Sequence, residues 1–285
     1  MEEKILKNLF FPHEKVRDIQ DNLIQEVDNC IKNKKNLIVH APTGLGKTAS
    51  TLPVALSYAV KNKLTVFFLT SRHTQHLIVL DCLKRIKKKY QKDIIAVDII
   101  GKKWMCPVPG TDELFSYEFF EFCRSMKQDN KCEYYVNSRK KSGRPTVQAE
   151  KAVDDLKKLS PCNCEDLIKY CSKEKLCPYE ISTLMAKEAS VIISDYYYIF
   201  SPSIRETFFK KTEKDLEDSI IIIDEGHNLP KRARELLSQN LSSFGIRNAI
   251  KEARKFDYKE TAKFLVAIKE IFDNYEKEFV ETAQK

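Results

Sequence analysis

One segment near the N-terminus constrains the chain more than any other, Leu37-Ile38-Val39-His40-Ala41-Pro42-Thr43-Gly44-Leu45-Gly46-Lys47-Thr48. Its apolar run at 37–41 predicts a buried strand, and a helix is expected to begin at Lys47. Two glycines between them allow a tight turn whose backbone N–H groups approach a polyphosphate, while the lysine neutralises β- and γ-phosphates and the next hydroxyl binds Mg²⁺. The segment therefore predicts an ATP and Mg²⁺ site formed by Thr43, Gly44, Leu45, Gly46, Lys47 and Thr48.

Further apolar runs without polar alternation occur at residues 64–70, 94–100, 191–194 and 219–224, and segments with helical spacing of apolar residues separate them. Strands that are apolar throughout are buried on both faces, which is typical of a parallel sheet between two layers of helices. The predicted fold class is therefore α/β, with a parallel sheet covered by helices.

This alternation stops between Gly101 and Pro178, where seven of the nine cysteines fall. We interpret residues 101–178 as an insertion into a nucleotide-binding domain formed by residues 1–100 and 179–240. Residues 241–285 are predicted to be helical. There, an apolar stripe along 259–283 fits a helix of a bundle.

A second site feature follows the apolar run at 219–223, which ends in Asp224 and Glu225. In a parallel sheet such a strand end lies at the carboxyl edge, where ligands bind. Asp224 would hold Mg²⁺, and Glu225 would orient and deprotonate the attacking water. Alone, an Asp-Glu pair after a strand is more often a helix N-cap, but the phosphate loop favours the catalytic interpretation.

The residues 224–227, Asp-Glu-Gly-His, resemble the Asp-Glu-Ala-His box of superfamily 2 helicases, with Gly226 in place of alanine. The order of motifs from about residue 10 to 230 is similar to that of the XPD-type iron–sulfur DNA helicases, relatives of DinG. The resemblance implies a RecA-like motor domain, an iron–sulfur insertion and the start of a helical arch domain at 241–285. It also implies ATP-dependent 5′–3′ unwinding, with catalytic roles for Glu225, Asp224, Lys47 and His227.

The same resemblance extends to two flanking segments. Phe11-Pro12-His13, followed by Arg17 and Gln20, resembles the segment that reads adenine, so Gln20 and Arg17 are expected to contact ATP. Residues 70–74, Thr-Ser-Arg-His-Thr, resemble the motif that touches the DNA backbone through residues such as Arg72 and Thr74.

Other DNA contacts are suggested by residue type alone. The basic loop at 138–145 contains Arg139, Lys140 and Lys141, which would contact phosphates, although a solvated loop fits the pattern nearly as well. Tyr196 is one of several aromatic residues that either stack on unpaired bases or belong to the core.

By resemblance, Cys106, Cys123, Cys132 and Cys177 match the ligand positions of a 4Fe-4S cluster. A DinG-like scheme would keep Cys106 and Cys177 and use Cys164 and Cys171 instead. Four thiolates also suit structural Zn²⁺, but the tight Cys-x₂₋₄-Cys pairs of zinc modules are absent, which favours iron–sulfur. Cys30 and Cys82 fit buried free thiols better.

Composition adds little to these motifs. The 49 basic and 41 acidic residues, net +8, are compatible with an anionic partner, and the resemblance implies single-stranded and forked DNA. No apolar stretch is long enough to span a membrane and no signal peptide is evident, so we expect a cytoplasmic protein, or a nuclear one in a eukaryote.

Nothing after His227 resembles a second motor domain, which would supply arginines to the γ-phosphate and would come from a second chain or a further C-terminal segment. Because such arginines contribute roughly 10³–10⁵ in rate, this chain alone is expected to bind nucleotide and DNA weakly and to hydrolyse ATP poorly. Two alternatives stay open, a P-loop ATPase with a zinc-binding insertion and a truncated, non-catalytic nucleic-acid-binding protein.

Overall fold

The computed structural model describes residues 9–42, 44–238 and 240–283. The chain divides into two compact units, one ending at Ala233 and the other beginning at Arg234. All of the sheet and all nine cysteines belong to the first unit.

The centre of the first unit is a four-stranded parallel sheet in the order β2-β3-β1-β4. The strands are β1 (Thr65–Leu69), β2 (Ala96–Ile99), β3 (Val191–Ser194) and β4 (Ser219–Ile223). Every residue of β1, β2 and β3 is buried, as the continuous apolar runs predict. Leu69 pairs with Ser194 on one side and Ile223 on the other, so these strands end together at one edge. The predicted α/β class with a parallel sheet is confirmed.

The layer on one face of the sheet contains three helices, α1 (Asp18–Lys32), α2 (Lys47–Asn62) and α3 (His73–Tyr90), and α2 and α3 contact the strands directly. Val66 and Phe68 of β1 point into this layer and pack against buried residues of α2 and α3, including Leu56 and Leu83. Helix α1 packs on α2 through a separate small core. This layer fixes the position of the loop that precedes α2.

The other face is covered by the segment that carries most of the cysteines and by the helices after it. A 3₁₀ turn at Lys102–Met105 is followed by α4 (Ser116–Gln128), α5 (Glu133–Ser138), α6 (Val147–Leu159), α7 (Cys164–Lys173) and α8 (Pro178–Ala186). After β3 come α9 (Tyr197–Phe200) and α10 (Pro202–Thr212). Phe67 and Leu69 pack here against Leu156, Ile181 and Phe208. The segment 101–178 is thus helical, and its boundaries as a separate domain stay a prediction.

The predicted strand at residues 37–41 is wrong, since this segment has no regular secondary structure. The side chain of Ile38 is 99% exposed. A strand requires backbone partners in a neighbouring strand, and no backbone hydrogen bond within the described part of the chain joins this segment to β4. In agreement, β4 is only partly buried and forms the outer edge of the sheet.

After β4, a 3₁₀ turn at Gly226–Asn228 leads into α11 (Leu229–Leu237). The second unit contains a hairpin of α12 (Ser243–Lys255) and α13 (Lys259–Ala283), packed through Ile246, Ile250, Ala253 and Ala262. The predicted helical character is confirmed, but the stripe on α13 is largely exposed, with Phe264 at 67% and Tyr275 at 68%. No helix in the described ranges is long and apolar enough to cross a bilayer.

Candidate nucleotide site and cysteine cavity

The loop before α2 has the backbone conformation that its glycines predict. Gly44 and Gly46 have φ of +85° and +86°, in the left-handed region that other residues adopt only at a cost. Helix α2 begins at Lys47, so its first free N–H groups and its positive dipole end face the loop. Lys47 Nζ lies 3.3 Å from the carbonyl oxygen of Ala41. Thr43 was also assigned to this site and lies outside the described residues.

Two side chains from the start of α1 hold this loop. The amide nitrogen of Gln20 donates a hydrogen bond to the carbonyl oxygen of Leu45 at 2.9 Å, and its amide oxygen accepts one from Arg17 N at 3.2 Å. The Arg17 guanidinium donates to the carbonyl oxygen of Gly44 at 3.4 Å. The two residues expected to contact the nucleotide therefore contact the phosphate loop itself, and their contact with ATP stays a proposal.

The two carboxylates predicted after β4 lie at the carboxyl edge of the sheet. Asp224 N donates to the carbonyl oxygen of Leu69, which continues the pairing of β4 with β1 by one residue. Burial, reinforced by the charge of Glu225, raises the pKa of Asp224, and Lys47 opposes this rise. Glu225 is in the left-handed region with φ of +51°. His227 Nδ1 lies 3.4 Å from a carboxylate oxygen of Glu225.

The phosphate loop, the start of α1 and the Asp-Glu pair line one cavity of about 560 Å³, which is within the size range of cofactor sites. Its lining includes Gly44, Gly46, Lys47, Thr48, Arg17, Gln20, Asp224 and Glu225. The phosphate loop and the Asp-Glu pair are separated by about 180 positions in the sequence, and the parallel sheet brings them to the same edge. The cavity thus combines a lysine, a hydroxyl and two carboxylates, the set that can hold a triphosphate with Mg²⁺ and position a water.

One wall of this cavity was not anticipated from the sequence. Gln75, Asp81 and Arg85 of α3 line it, and the guanidinium of Arg85 lies 2.7 Å from the Asp81 carboxylate. Helix α3 also holds the segment ahead of α1, because the Tyr90 hydroxyl donates to the carbonyl oxygen of Phe11 at 3.2 Å. In the sequence, α3 has the charged face that is typical of a solvent-exposed helix. The pattern therefore does not distinguish Asp81 and Arg85 from the other charged residues of this helix.

Tyr196 was expected to belong either to a base-stacking surface or to the core, and the structure places it in the core with its side chain fully buried. Its hydroxyl donates to the carbonyl oxygen of Asp224 and lies 3.2 Å from that of Glu225. A base cannot stack on this ring, so we do not retain Tyr196 as a DNA contact.

The remaining proposed DNA contacts differ in exposure. Arg72 and Thr74 are exposed at the start of α3, and Lys140 and Lys141 are exposed in the basic loop. Arg139 instead points inward, where its guanidinium lies 3.0 Å from the buried carboxylate of Glu180. A charge engaged in a buried pair is not available to a phosphate, so Arg139 is reassigned to a structural role.

A second, smaller cavity lies within the cysteine-rich segment, and Cys106, Cys123, Cys132 and Cys177 all line it. These residues come from the turn after the 3₁₀ segment, from α4, and from the N-terminal ends of α5 and α8. Burial raises the pKa of Cys132 and raises that of Cys177 to about 12, so these thiols are protonated in the absence of a cation. Binding of a metal or cluster would release their protons.

Two lysines give this cavity a positive character. Burial opposes the charge of Lys102, but the neighbouring Cys123 sulfur outweighs this effect, and the pKa of Lys102 is raised. Lys127 also lines the cavity, and its pKa is lowered, first by burial and then by the charge of Lys102. Cations beside four thiols would offset the negative charge of a thiolate-bound centre.

The alternative ligands Cys164 and Cys171 lie elsewhere, in the core between the sheet and α7. The backbone N–H of Cys164 donates to the Asp98 carboxylate at 3.0 Å, and burial raises the pKa of its thiol to about 12. Across the residues that the structure describes, no three His, Cys, Asp or Glu side chains are arranged to hold a metal ion. The choice of ligands therefore stays a proposal.

Comparison with known proteins bears on these sites. Residues 56–246 match the model of the protein family DEAD_2. The general transcription and DNA repair factor IIH helicase subunit XPD/RAD3 of Saccharomyces cerevisiae is 27% identical over 94% of this chain and 36% of its own length. A regulator of telomere elongation helicase 1 homolog of Caenorhabditis elegans is 25% identical over 89% of this chain and 28% of its own length.

Two solved structures share the fold. One is described as an XPD helicase, with a TM-score of 0.60 and 26% identity over 90% of this chain and 41% of its own. The other is described as a truncated XPD, with a TM-score of 0.55 and 26% identity over 87% of this chain and 64% of its own. The chain thus spans about a third of the length of the curated relatives it matches.

Proposed function

This chain belongs to the DEAD_2 family, and we propose that it is the ATP-binding half of an ATP-dependent DNA helicase. One observation carries the proposal, namely that Lys47, Thr48, Asp224 and Glu225 line the same cavity at the carboxyl edge of the sheet. The XPD and telomere helicase relatives support DNA as the polymer on which the enzyme acts.

In the proposed mechanism each side chain has one task. Lys47 and the N–H groups at the start of α2 neutralise the β- and γ-phosphates. Thr48 and Asp224 would hold Mg²⁺, which supplies charge neutralisation when bound. Glu225 orients the attacking water and accepts its proton, and His227 lies 3.4 Å from the Glu225 carboxylate, where it would help to orient that side chain.

We propose that a second motor domain, from a separate chain or from further sequence of the same protein, supplies arginine to the γ-phosphate and completes the helicase. The 5′–3′ direction is proposed from family resemblance. Arg72, Thr74, Lys140 and Lys141 are proposed to contact the DNA backbone, which would give salt-dependent binding without sequence preference.

Nucleotide binding and hydrolysis test the central proposal. With a fluorescent ATP analogue and Mg²⁺, we expect binding to the unmodified chain and loss of more than about tenfold in affinity for Lys47→Ala, which removes the phosphate-facing charge. Lys61→Ala, an exposed lysine on the same helix, is the matched control. Glu225→Gln should retain binding and lose whatever hydrolysis single-stranded DNA stimulates. Equal affinities for Lys47→Ala and Lys61→Ala, or hydrolysis unchanged in Glu225→Gln, would favour the non-catalytic alternative.

We also propose that the second cavity holds a 4Fe-4S cluster through Cys106, Cys123, Cys132 and Cys177. The chemistry of the donor set supports this, since four thiols, which suit a 4Fe-4S cluster, line one cavity with two lysines. A bound cluster would tie together the turn, α4, α5 and α8. By resemblance, the domain held in this way helps to separate the duplex.

Metal analysis distinguishes the cluster from its alternatives. Protein purified without oxygen should contain about four iron and four sulfide per chain, and Cys106→Ser and Cys177→Ser should lose both. Cys82→Ser and Cys171→Ser are matched controls, because the first is a buried thiol outside the cavity and the second belongs to the alternative ligand set. One zinc without sulfide would establish the zinc alternative, and loss of iron in Cys171→Ser would establish the DinG-like ligand set.

A further inference from the structure

The nucleotide cavity extends beyond its phosphate-binding end. Part of its wall is one face of α3, where residues at helical spacing line the cavity, namely Gln75, Ile78, Asp81, Cys82 and Arg85. At a rise of about 1.5 Å per residue, the first and the last of these residues are separated by about 15 Å along the helix axis. The cavity therefore follows α3 over several turns and offers room for more than a triphosphate.

One end of this wall lies at the carboxyl edge of the sheet. The Thr70 hydroxyl, directly after β1, donates a hydrogen bond to the side-chain oxygen of Gln75. The carbonyl oxygen of the preceding residue, Leu69, accepts the N–H of Asp224, so Gln75 is at the same edge as the Asp-Glu pair. A triphosphate on the phosphate loop would therefore occupy this end of the cavity.

The other end of the wall lies where the segment ahead of α1 is attached to α3. Pro12, His13 and Lys15 of that segment line the cavity. The side chain of Lys89, four residues after Arg85, donates to the carbonyl oxygen of His13 and fastens the segment to the last turns of α3. Arg85 is thus the cavity-lining residue of α3 that lies farthest along the helix from the carboxyl edge.

The ion pair near this end leaves part of the Arg85 guanidinium available to a ligand. Its Nε lies 2.7 Å from a carboxylate oxygen of Asp81, which restrains the plane of the group. Among the residues that the structure describes, the two terminal nitrogens of Arg85 have no hydrogen-bond partner. A restrained, planar guanidinium can stack on an aromatic base and donate to oxygen or nitrogen atoms at its edge.

We propose that Arg85 contacts the nucleoside half of the bound nucleotide, and that Asp81 is the positioning residue that orients its guanidinium. This inference rests on the proposed function and adds to it a specificity-determining contact from α3. The affinity for a nucleoside triphosphate should then depend on Arg85, whereas the affinity for inorganic triphosphate, which has no nucleoside, should not.

Two ligands separate this contact from the general effect of a positive charge. On the full 285-residue chain, calorimetry measures the affinity for a non-hydrolysable ATP analogue and for inorganic triphosphate, both with Mg²⁺. Arg85→Met should lower the affinity for the analogue about fivefold, within the range of a cation–π contact, and change that for inorganic triphosphate less than about twofold. Arg85→Lys, which keeps the charge without the planar group, should bind the analogue nearly as weakly.

The matched control is Lys84→Met, which removes a charge from an exposed neighbour outside the cavity and should leave both affinities unchanged. Asp81→Ala should lower the affinity for the analogue in the unmodified chain but not in Arg85→Met, because its effect passes through Arg85. Both members of the ion pair are about half exposed, and exposed pairs contribute about 0–1 kcal/mol to stability, so these variants should fold.

The outcomes distinguish this inference from the proposed function. An unchanged affinity for the analogue in Arg85→Met, or an equal loss for both ligands, would overturn the contact. An effect of Asp81→Ala that persists in Arg85→Met would overturn the positioning role. If the unmodified chain binds inorganic triphosphate as tightly as the analogue, the inference alone fails. If it binds neither ligand, the proposed function fails and the inference falls with it.

Discussion

The amide nitrogen of Gln20 occupies the space beside Gly46 that a larger residue would need, because a Cβ atom on Gly46 would stand 2.5 Å from it. Gly46 is therefore favoured for two independent reasons, its left-handed backbone and the close approach of Gln20. Gly44 has the same backbone conformation, but among the described residues, its chain neighbours aside, no atom lies within 4 Å of its Cβ position. Comparing alanine substitutions at the two glycines therefore separates the effect of backbone strain from the effect of displacing Gln20.

We expect Gly46→Ala to lower the affinity for an ATP analogue by more than about tenfold. This substitution strains the backbone by about 1–2 kcal/mol, and it displaces the Gln20 amide from the carbonyl oxygen of Leu45. Gly44→Ala should lower the free energy of unfolding by a similar amount, because the backbone strain is the same, but it should leave the Gln20 hydrogen bonds intact. Fluorescence titration and urea unfolding of both variants check this, and equal losses of nucleotide affinity would show that the position of Gln20 is unimportant.

In the basic loop, we expect Arg139 to have a structural role and Lys140 and Lys141 to bind nucleic acid. Arg139→Met should lower the free energy of unfolding, because it leaves the buried Glu180 with fewer partners, and should change DNA affinity little. The double variant of Lys140→Met and Lys141→Met should show the reverse, with unchanged stability, weaker binding of single-stranded DNA and a reduced salt slope. Fluorescence anisotropy at several salt concentrations measures this slope. Weaker DNA binding by Arg139→Met at unchanged stability would restore it as a DNA contact.

The charge of Glu180 should make stability depend on pH below neutrality. Burial alone would raise the pKa of this carboxyl, but Lys211 and Arg139 outweigh burial and hold the pKa below its usual range. A depressed carboxyl pKa stabilises the folded state above the unfolded pKa of about 4.3, and this contribution disappears as pH falls through the folded value. The stability difference between the unmodified chain and Glu180→Gln should thus be largest near pH 7 and shrink below about pH 4. Urea unfolding across this range measures it, and a difference that grows toward acid would contradict the assignment.

Much of the sheet and of the nucleotide site follows from the sequence. Strands β1 to β3 are buried on both faces, so their apolar runs are continuous and easily located. Because parallel strands end at one edge, the chemistry after β4 could be expected near the phosphate loop without any knowledge of contacts. The residue types in both motifs then indicate a triphosphate and a divalent cation.

What could not be predicted depends on partners distant in the sequence. Residues 37–41 are apolar enough for a strand, but a strand forms only where a neighbour offers its backbone groups, and sequence pattern does not reveal that neighbour. Arg139 resembles the adjacent lysines, and only the position of Glu180, 41 residues later, decides that it is buried. Tyr196 likewise belongs to the core, where its hydroxyl contacts carbonyl groups 28 and 29 residues away.

A buried carboxylate between α3 and α7 leads to the last prediction. Asp98 on β2 lies with one oxygen 2.5 Å from His76 Nδ1 and accepts the N–H of Cys164 on the other. An amide in Asp98→Asn offers one acceptor and one donor group, so it cannot accept from both Cys164 N and a protonated His76 Nδ1. Leaving a buried polar group mismatched costs about 1–3 kcal/mol. At roughly 2–4 °C per kcal/mol for a unit of this size, the Tm should fall by several degrees.

The control for this prediction is Asp81→Asn, which removes the charge of an exposed carboxylate on α3 that is paired with Arg85. Exposed ion pairs contribute about 0–1 kcal/mol, so the Tm of this variant should stay close to that of the unmodified chain. Differential scanning calorimetry of the two variants gives the comparison directly. Similar Tm values for both would mean that the amide is satisfied, by a change of the His76 tautomer or by water, and the carboxylate would then not be needed to join α3 and α7 to the edge of the sheet.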